Sequence, residues 1–186
     1  QLPNGAIPHV IPATSIDTGS SSGSAAWDDA VTICPWQIYL SYGNREILRS
    51  QFHCMKRYIG FITDTTKDRF LWTGGTHYGD WLGLDSAPGS YKGASREDFI
   101  ASAFYAYSTS LVIKAGEVLG EDVTEYRELY QNIIRTFRQV FPDYRTQTEL
   151  VLAAHFGLAE DRQKTADQLA EKVRQDGCKL QTGFVG

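Results

Sequence analysis

The sequence predicts an all-α fold of antiparallel helical hairpins, and three observations carry that prediction. Long uncharged stretches alternate with amphipathic ones, glycines mark the joints between them, and no alternating apolar and polar pattern competes for a sheet. The 186 residues, 42% apolar and 22% charged, suffice for one domain with its own core.

Taken in order, residues 1–26 read as a first loop, because Pro3, Pro8, Pro12 and the run Gly19-Ser20-Ser21-Ser22-Gly23-Ser24 carry neither a helical nor a strand period. Helix starts at Asp28. No charge falls between Asp29 and Arg45, and Ala30, Val31, Ile33, Trp36, Ile38 and Leu40 place apolar groups all round, as a helix surrounded by protein requires, with Trp36 in the core. Pro35 is expected to end or kink the first turn. Beyond Tyr42-Gly43-Asn44 a second helix runs to about Thr63, amphipathic, with Leu48, Met55, Tyr58, Ile59 and Ile62 on one stripe.

The pattern then recurs twice. Residues 99–113 are uncharged and stop at Leu119-Gly120, and residues 121–141 set Tyr126, Leu129, Ile133 and Phe137 against a charged face. Residues 150–158 are again free of carboxylate, lysine and arginine, stop at Phe156-Gly157, and lead into a half-exposed helix opening at Glu160-Asp161. This yields hairpins over 28–66, 95–142 and 146–176, a first loop over 1–27 and a long loop over 67–94, all in a single domain. Such hairpins fit a solenoid or a closed α/α toroid. Solenoid repeats keep a nearly fixed period of roughly 34–47 residues. The buried helices here start near 29, 98 and 147, steps of 69 and 49, and this irregularity favours the toroid.

In such a ring, the connections from each outer helix to the next inner helix gather on one rim: residues 1–28, 64–97, 142–147 and 176–186. The longest holds six glycines and Phe70, Trp72, Tyr78, Trp81 and Tyr91, and loops of that length are usually functional. Trp27-Asp28-Asp29 and Gly79-Asp80-Trp81 each set an indole beside a carboxylate. That pairing suits a sugar, whose C–H face packs on the ring while its hydroxyls donate to the carboxylate. The bland alternative makes Asp28 or Asp29 a helix N-cap and Trp27 a hydrophobic staple. His77, in the glycine-rich loop, could be a sugar contact or proton donor. Trp72-Thr73-Gly74-Gly75 reads as a turn.

Composition narrows the partners. A net charge of −4 without a basic run argues against nucleic acid, and every apolar stretch is broken well before the roughly 18 residues that span a bilayer. No targeting segment is visible, so the compartment stays open with the cytoplasm slightly favoured. Cys34, Cys54 and Cys178 form no CxxC pair and are expected reduced and buried. The four histidines make no metal spacing, and no cofactor or metal is called for. An opening at Gln1, directly before Pro3-Asn4-Gly5, suggests a piece of a longer chain.

The runs Pro3-Asn4-Gly5-Ala6-Ile7-Pro8, Ala26-Trp27-Asp28-Asp29-Ala30, Pro35-Trp36, Tyr42-Gly43-Asn44, Gly79-Asp80-Trp81-Leu82 and Thr182-Gly183-Phe184-Val185-Gly186 resemble, in this order, the six-hairpin catalytic domain of bacterial α-L-rhamnosidases, glycoside hydrolase family 78. The resemblance implies about half of an (α/α)6 toroid and an inverting hydrolase that cleaves terminal α-L-rhamnose with one carboxylic acid and one carboxylate base. It also implies that neither of these is in this chain. The family's acid-bearing motif belongs before Gln1 and its general-base glutamate after Gly186, so no catalytic residue is expected here. Residue by residue, Trp27 and Trp81 match tryptophans of the sugar pocket, with Asp29 and Asp80 beside them, whereas Asp28 stands where the family usually has a small residue. The implied partner is a rhamnosylated small molecule or oligosaccharide. Half a ring would also leave apolar flanks through which the chain could pair as a homodimer. Two other readings stand beside this one: another α/α-toroid carbohydrate enzyme, such as an epimerase or glycosidase, with Asp29 and Asp80 as acid and base, and a non-catalytic helical-repeat scaffold.

Overall fold

A computed structural model describes residues 1–10, 23–66 and 70–186. Pro12, the serine-rich stretch 19–22 and Lys67 thus lie outside the described residues. Six helices follow one another: α1 (Ala30–Tyr42), α2 (Arg45–Thr65), α3 (Glu97–Leu119), α4 (Thr124–Val140), α5 (Gln147–His155) and α6 (Arg162–Gln175). Among the described residues there is no strand, and Trp81 and Lys92 form an isolated antiparallel bridge.

Consecutive helices pair as α1/α2, α3/α4 and α5/α6, and α3 also packs on α1, α2 and α5. The row α1, α3, α5 is the inner layer and α2, α4, α6 the outer, which makes about half of an (α/α)6 toroid. Burial follows from this arrangement. With four helical neighbours, α3 hides most of its length, from Phe99 to Gly116, whereas α4 buries only Ile133, Ile134 and Phe137, and α6 only Thr165. The joints use the local chemistry read from the sequence. Gly43 and Gly120 take left-handed φ values of +65° and +79° to close α1 and α3, Asn44 accepts from the Glu46 N–H, and Asp161 accepts from the Lys164 N–H.

Three expectations fail, each for a tertiary reason. First, α1 is not surrounded. It meets only α2 and α3, so Thr32 and Pro35 are buried while Ile38, Leu40 and Tyr42 face outward, and Trp36 is only partly buried against the core. Second, Pro35 does not end the helix. α1 runs on through it for about two turns, with Pro35 buried where the helix packs against its neighbours α2 and α3. Third, the cysteines are free but not buried: Cys34 lies on α1 and Cys178 follows α6, both exposed, and Cys54 is half-buried.

The N-terminal ends of the inner helices share one rim, where the connecting segments interlock. Glu149, wholly buried, accepts from the backbone N–H groups of Arg96 and Arg145 and from the Arg96 guanidinium at 2.9 and 2.8 Å, tying the start of α3 to the start of α5. This charge pair was not legible beforehand, since its members are 53 residues apart.

Candidate functional site

On that rim, five aromatic rings form a continuous row. Phe184 packs on Trp27 with centroids 4.7 Å apart, Trp27 on Tyr78 at 4.8 Å, Tyr78 on Trp81 at 5.5 Å, and Trp81 on Tyr91 at 5.3 Å. They come from three separate segments: the residues before α1, the loop between α2 and α3, and the C-terminal stretch. The ends of the row are open, with Phe184 67% and Tyr91 65% exposed, and the three inner rings are half-buried. Ring faces held this way offer flat apolar surface beside polar edges, the surface on which a pyranose C–H face packs. Trp27 and Trp81 had been singled out from the sequence. Tyr78 and Tyr91 stood out only as loop aromatics, and Phe184 only inside its short motif.

Backbone strain flanks both tryptophans. Three described non-glycine residues take positive φ, and two of them adjoin the row: Ala26 at +71°, just before Trp27, and Leu82 at +58°, just after Trp81. Such residues cost of order 1 kcal/mol or more and persist where surrounding contacts impose them. The Ala26 N–H donates to Asp29 Oδ2 at 2.8 Å, and the Leu82 N–H to the Tyr91 carbonyl at 2.6 Å. Gly79, at φ +61°, reverses the chain between Tyr78 and Asp80.

The carboxyl groups beside the tryptophans are turned into the protein. Asp28, Asp29 and Asp80 have no exposed surface. Asp29 stands at the N-cap position of α1 yet makes no capping hydrogen bond, and its oxygens meet the Ala26 N–H and the Ser108 hydroxyl. Burial pushes its pKa up to about 7, against the opposing hydrogen bond from Ser108. The Tyr58 hydroxyl, buried close by and without a well-formed hydrogen bond among the described residues, is itself pushed well up by burial and by the Asp29 and Asp28 charges. Asp28 also does not cap. It lies 2.9 Å from His9 Nδ1 and accepts from the Gly23 N–H, and burial raises its pKa while His9 opposes the rise. Asp80 accepts from the Thr148 hydroxyl and from the N–H groups of Gly183 and Val185. Both Asp29 and Asp80 thus have their oxygens engaged by protein donors, and neither carboxyl reaches the surface.

His77 is likewise turned inward, 4% exposed. Its Nδ1 accepts from the Ala25 N–H at 3.1 Å, which leaves Nε2–H to donate to the Gly74 carbonyl at 3.0 Å, and its ring meets Trp72 edge-on at 4.8 Å. Burial lowers its pKa, in keeping with an Nδ1 that accepts a hydrogen bond. It braces the backbone two residues before Trp27. Trp72, counted in sequence among the rim aromatics, belongs to the core at 2% exposure.

Among the described residues, no three His, Cys, Asp or Glu side chains converge as metal ligands. No helix among them is long and apolar enough to cross a membrane. Grooves of about 400 Å³ open elsewhere, between α3 and α4 near His155 and beside Arg138 and Glu160. Among the described residues, the carboxyl groups adjoining the two tryptophans are enclosed by protein donors.

The model of the bacterial alpha-L-rhamnosidase 6 hairpin glycosidase domain matches residues 1–186, the whole chain. The chain belongs to that family. An alpha-L-rhamnosidase of Formosa agariphila is 34% identical over 197 residues, and one of Alteromonas sp. (strain LOR) is 31% identical over 203; both alignments take in all of this chain and 21% of the relative. The crystal structure of Streptomyces avermitilis alpha-L-rhamnosidase complexed with L-rhamnose superposes with a TM-score of 0.87 at 28% identity, covering all of this chain and 18% of that one. The alfa-L-rhamnosidase of Aspergillus terreus, 24% identical with a TM-score of 0.86 over 98% of this chain and 22% of its own, shares the fold. This rhamnosidase-family chain thus spans about a fifth of the length of the curated relatives it matches. Family membership also settles the architecture in favour of the toroid over a helical-repeat scaffold.

Proposed function

We propose that this chain supplies the sugar-facing aromatic wall of an α-L-rhamnosidase, an inverting glycoside hydrolase that releases terminal α-L-rhamnose from small-molecule glycosides or oligosaccharides. The observation that carries the reading is the row from Phe184 through Trp27, Tyr78 and Trp81 to Tyr91, assembled at the N-terminal ends of the inner helices. It is supported by membership of the rhamnosidase family and by the likeness to an enzyme crystallised with L-rhamnose. Within the wall, Trp27 and Trp81 bind the sugar by stacking. Asp29, Asp80 and His77 hold the wall in place from behind, through the Ala26 turn, the C-terminal stretch and the Ala25 backbone. Proton transfer falls to groups outside these residues. That division of labour disfavours the reading in which Asp29 and Asp80 are themselves acid and base, because both are closed off by protein donors.

The test is a titration of the chain with L-rhamnose followed by tryptophan fluorescence, alongside an assay on a nitrophenyl α-L-rhamnoside. Trp27→Ala and Trp81→Ala are expected to weaken binding by about two- to tenfold, the worth of one aromatic contact, with helical content unchanged. Turnover by the 186 residues alone is expected to be absent, since each missing proton-transfer group is worth about 10² to 10⁴ in rate. Turnover that survives purification and disappears in Asp29→Asn would overturn the reading.

A further inference from the structure

Three successive backbone N–H groups of the C-terminal stretch converge on two neighbouring residues of the rim loop. Gly183 donates to Asp80 Oδ2 at 2.9 Å, Phe184 to the Trp81 carbonyl at 2.8 Å, and Val185 to Asp80 Oδ1 at 3.2 Å. The Thr148 hydroxyl, in the first turn of α5, holds Oδ2 from the other side. A fourth link, from the Leu84 N–H to the Thr182 carbonyl at 3.3 Å, continues the seam. Approach is close enough that only glycine fits at 183. A Cβ there would sit 2.4 Å from the Trp81 carbonyl oxygen and 2.8 Å from Asp80 Oδ1.

This seam has one evident product. It lays the Phe184 ring on Trp27, although the side chain is 67% exposed and has no burial of its own to keep it there. A large apolar side chain left in water is ordinarily free to turn away. Here its backbone is fixed at three consecutive positions by groups 103 and more residues distant in sequence. We propose that Asp80 is a positioning residue for sugar binding: its buried carboxyl tethers residues 183–185 and thereby sets Phe184 as the outer ring of the wall. The proposal rests on the reading of the row as a sugar-binding surface.

The experiment uses the full 186-residue chain, ring-labelled at phenylalanine, with L-rhamnose as the probe. Phe184→Ala identifies the Phe184 ring resonance, whose displacement by the Trp27 ring current reports the contact. Asp80→Asn keeps shape but turns one acceptor into an NH2 group. Whichever way the amide lies, that group opposes the N–H of Gly183 or of Val185. The expected result is loss of the ring-current displacement and a fall in L-rhamnose affinity of about two- to tenfold, equal to that of Phe184→Ala. The double variant Asp80→Asn/Phe184→Ala should be no weaker than Phe184→Ala alone. Gly183→Ala, which forces the stretch away while leaving the carboxyl intact, should reproduce both effects and serves if Asp80→Asn does not fold. An unmoved Phe184 resonance in both variants overturns the tether. Losses that add in the double variant overturn the positioning role, because Asp80 would then act on sugar directly. If Phe184→Ala binds L-rhamnose as the unaltered chain does, the sugar-wall reading fails at this ring, and the resonance alone still decides whether Asp80 holds it.

Discussion

Ser108 and Asp29 meet in a short hydrogen bond across the α1–α3 contact, and the circuit around it lacks a proton unless the carboxyl supplies one. Ser108 Oγ also lies 2.7 Å from Thr32 Oγ1, which lies 2.9 Å from the Asp29 carbonyl oxygen. Two hydroxyl protons cannot fill three contacts. Ser108 donates to the Asp29 carboxylate and Thr32 to the Asp29 carbonyl oxygen, which leaves the contact between the two hydroxyls without a proton, and a proton on the carboxyl would fill it. The geometry thus agrees with the upward push of this carboxyl by burial, to about 7.

The consequence is a pH-dependent stability with a defined sign. Because the folded pKa lies above the ordinary value of 3.8, the folded state takes up a proton, and this contribution fades as pH rises from 3.8 through about 7. Asp29→Asn keeps the circuit, its amide donating to Ser108 and its oxygen accepting from the Ala26 N–H. It is expected to match the unaltered chain only below pH 3.8 and to gain on it progressively up to about pH 7, by at most about 4 kcal/mol, so that its advantage is larger at pH 8 than at pH 5. Urea unfolding at pH 5 and pH 8 measures this, and a variant that loses stability equally at both would contradict a neutral Asp29.

His77 predicts a different signature. Its Nδ1 should be the unprotonated nitrogen and Nε2 the protonated one, visible in the long-range 15N couplings of the ring, because Nδ1 accepts from the Ala25 N–H and burial lowers the ring's pKa. His77→Leu would leave the Ala25 N–H and the Gly74 carbonyl unsatisfied at a cost of about 1–3 kcal/mol each. Loss of L-rhamnose binding with no loss of stability would instead return His77 to the role of a direct contact.

The uncovered side of α1 bears on the association expected from the sequence. Ile38, Leu40 and Tyr42 are exposed, and burial of such surface recovers about 25 cal/mol per Å² before association costs. The isolated chain is therefore expected to self-associate at micromolar concentration, and Leu40→Glu to return it to a 20.8 kDa monomer. Light scattering checks both, and a monomeric unaltered chain refutes the expectation.

Local chemistry made much of this protein readable in one dimension. Glycine joints at 43, 120 and 157, the caps at Asn44 and Asp161, and the three- and four-residue spacing of Leu48, Met55, Ile59 and Ile62 each act within a few residues, so the order and type of the helices follow from the residues themselves. Trp27 and Trp81 stand out for the same reason, each in a short motif, and the structure sets both in one row of rings. Which way a side chain faces is another matter. Asp29 and Asp80 look from the sequence like partners of the adjacent indoles, yet the groups that claim them, Ser108, Thr148, Gly183 and Val185, lie 68 to 105 residues away. The exposure of α1, the burial of His77 and the placing of Phe184 on Trp27 likewise depend on which elements the folded chain brings alongside. Helix formation is decided by neighbours along the chain, whereas desolvation and hydrogen-bond partnership are decided by neighbours in space, and only the tertiary structure supplies those.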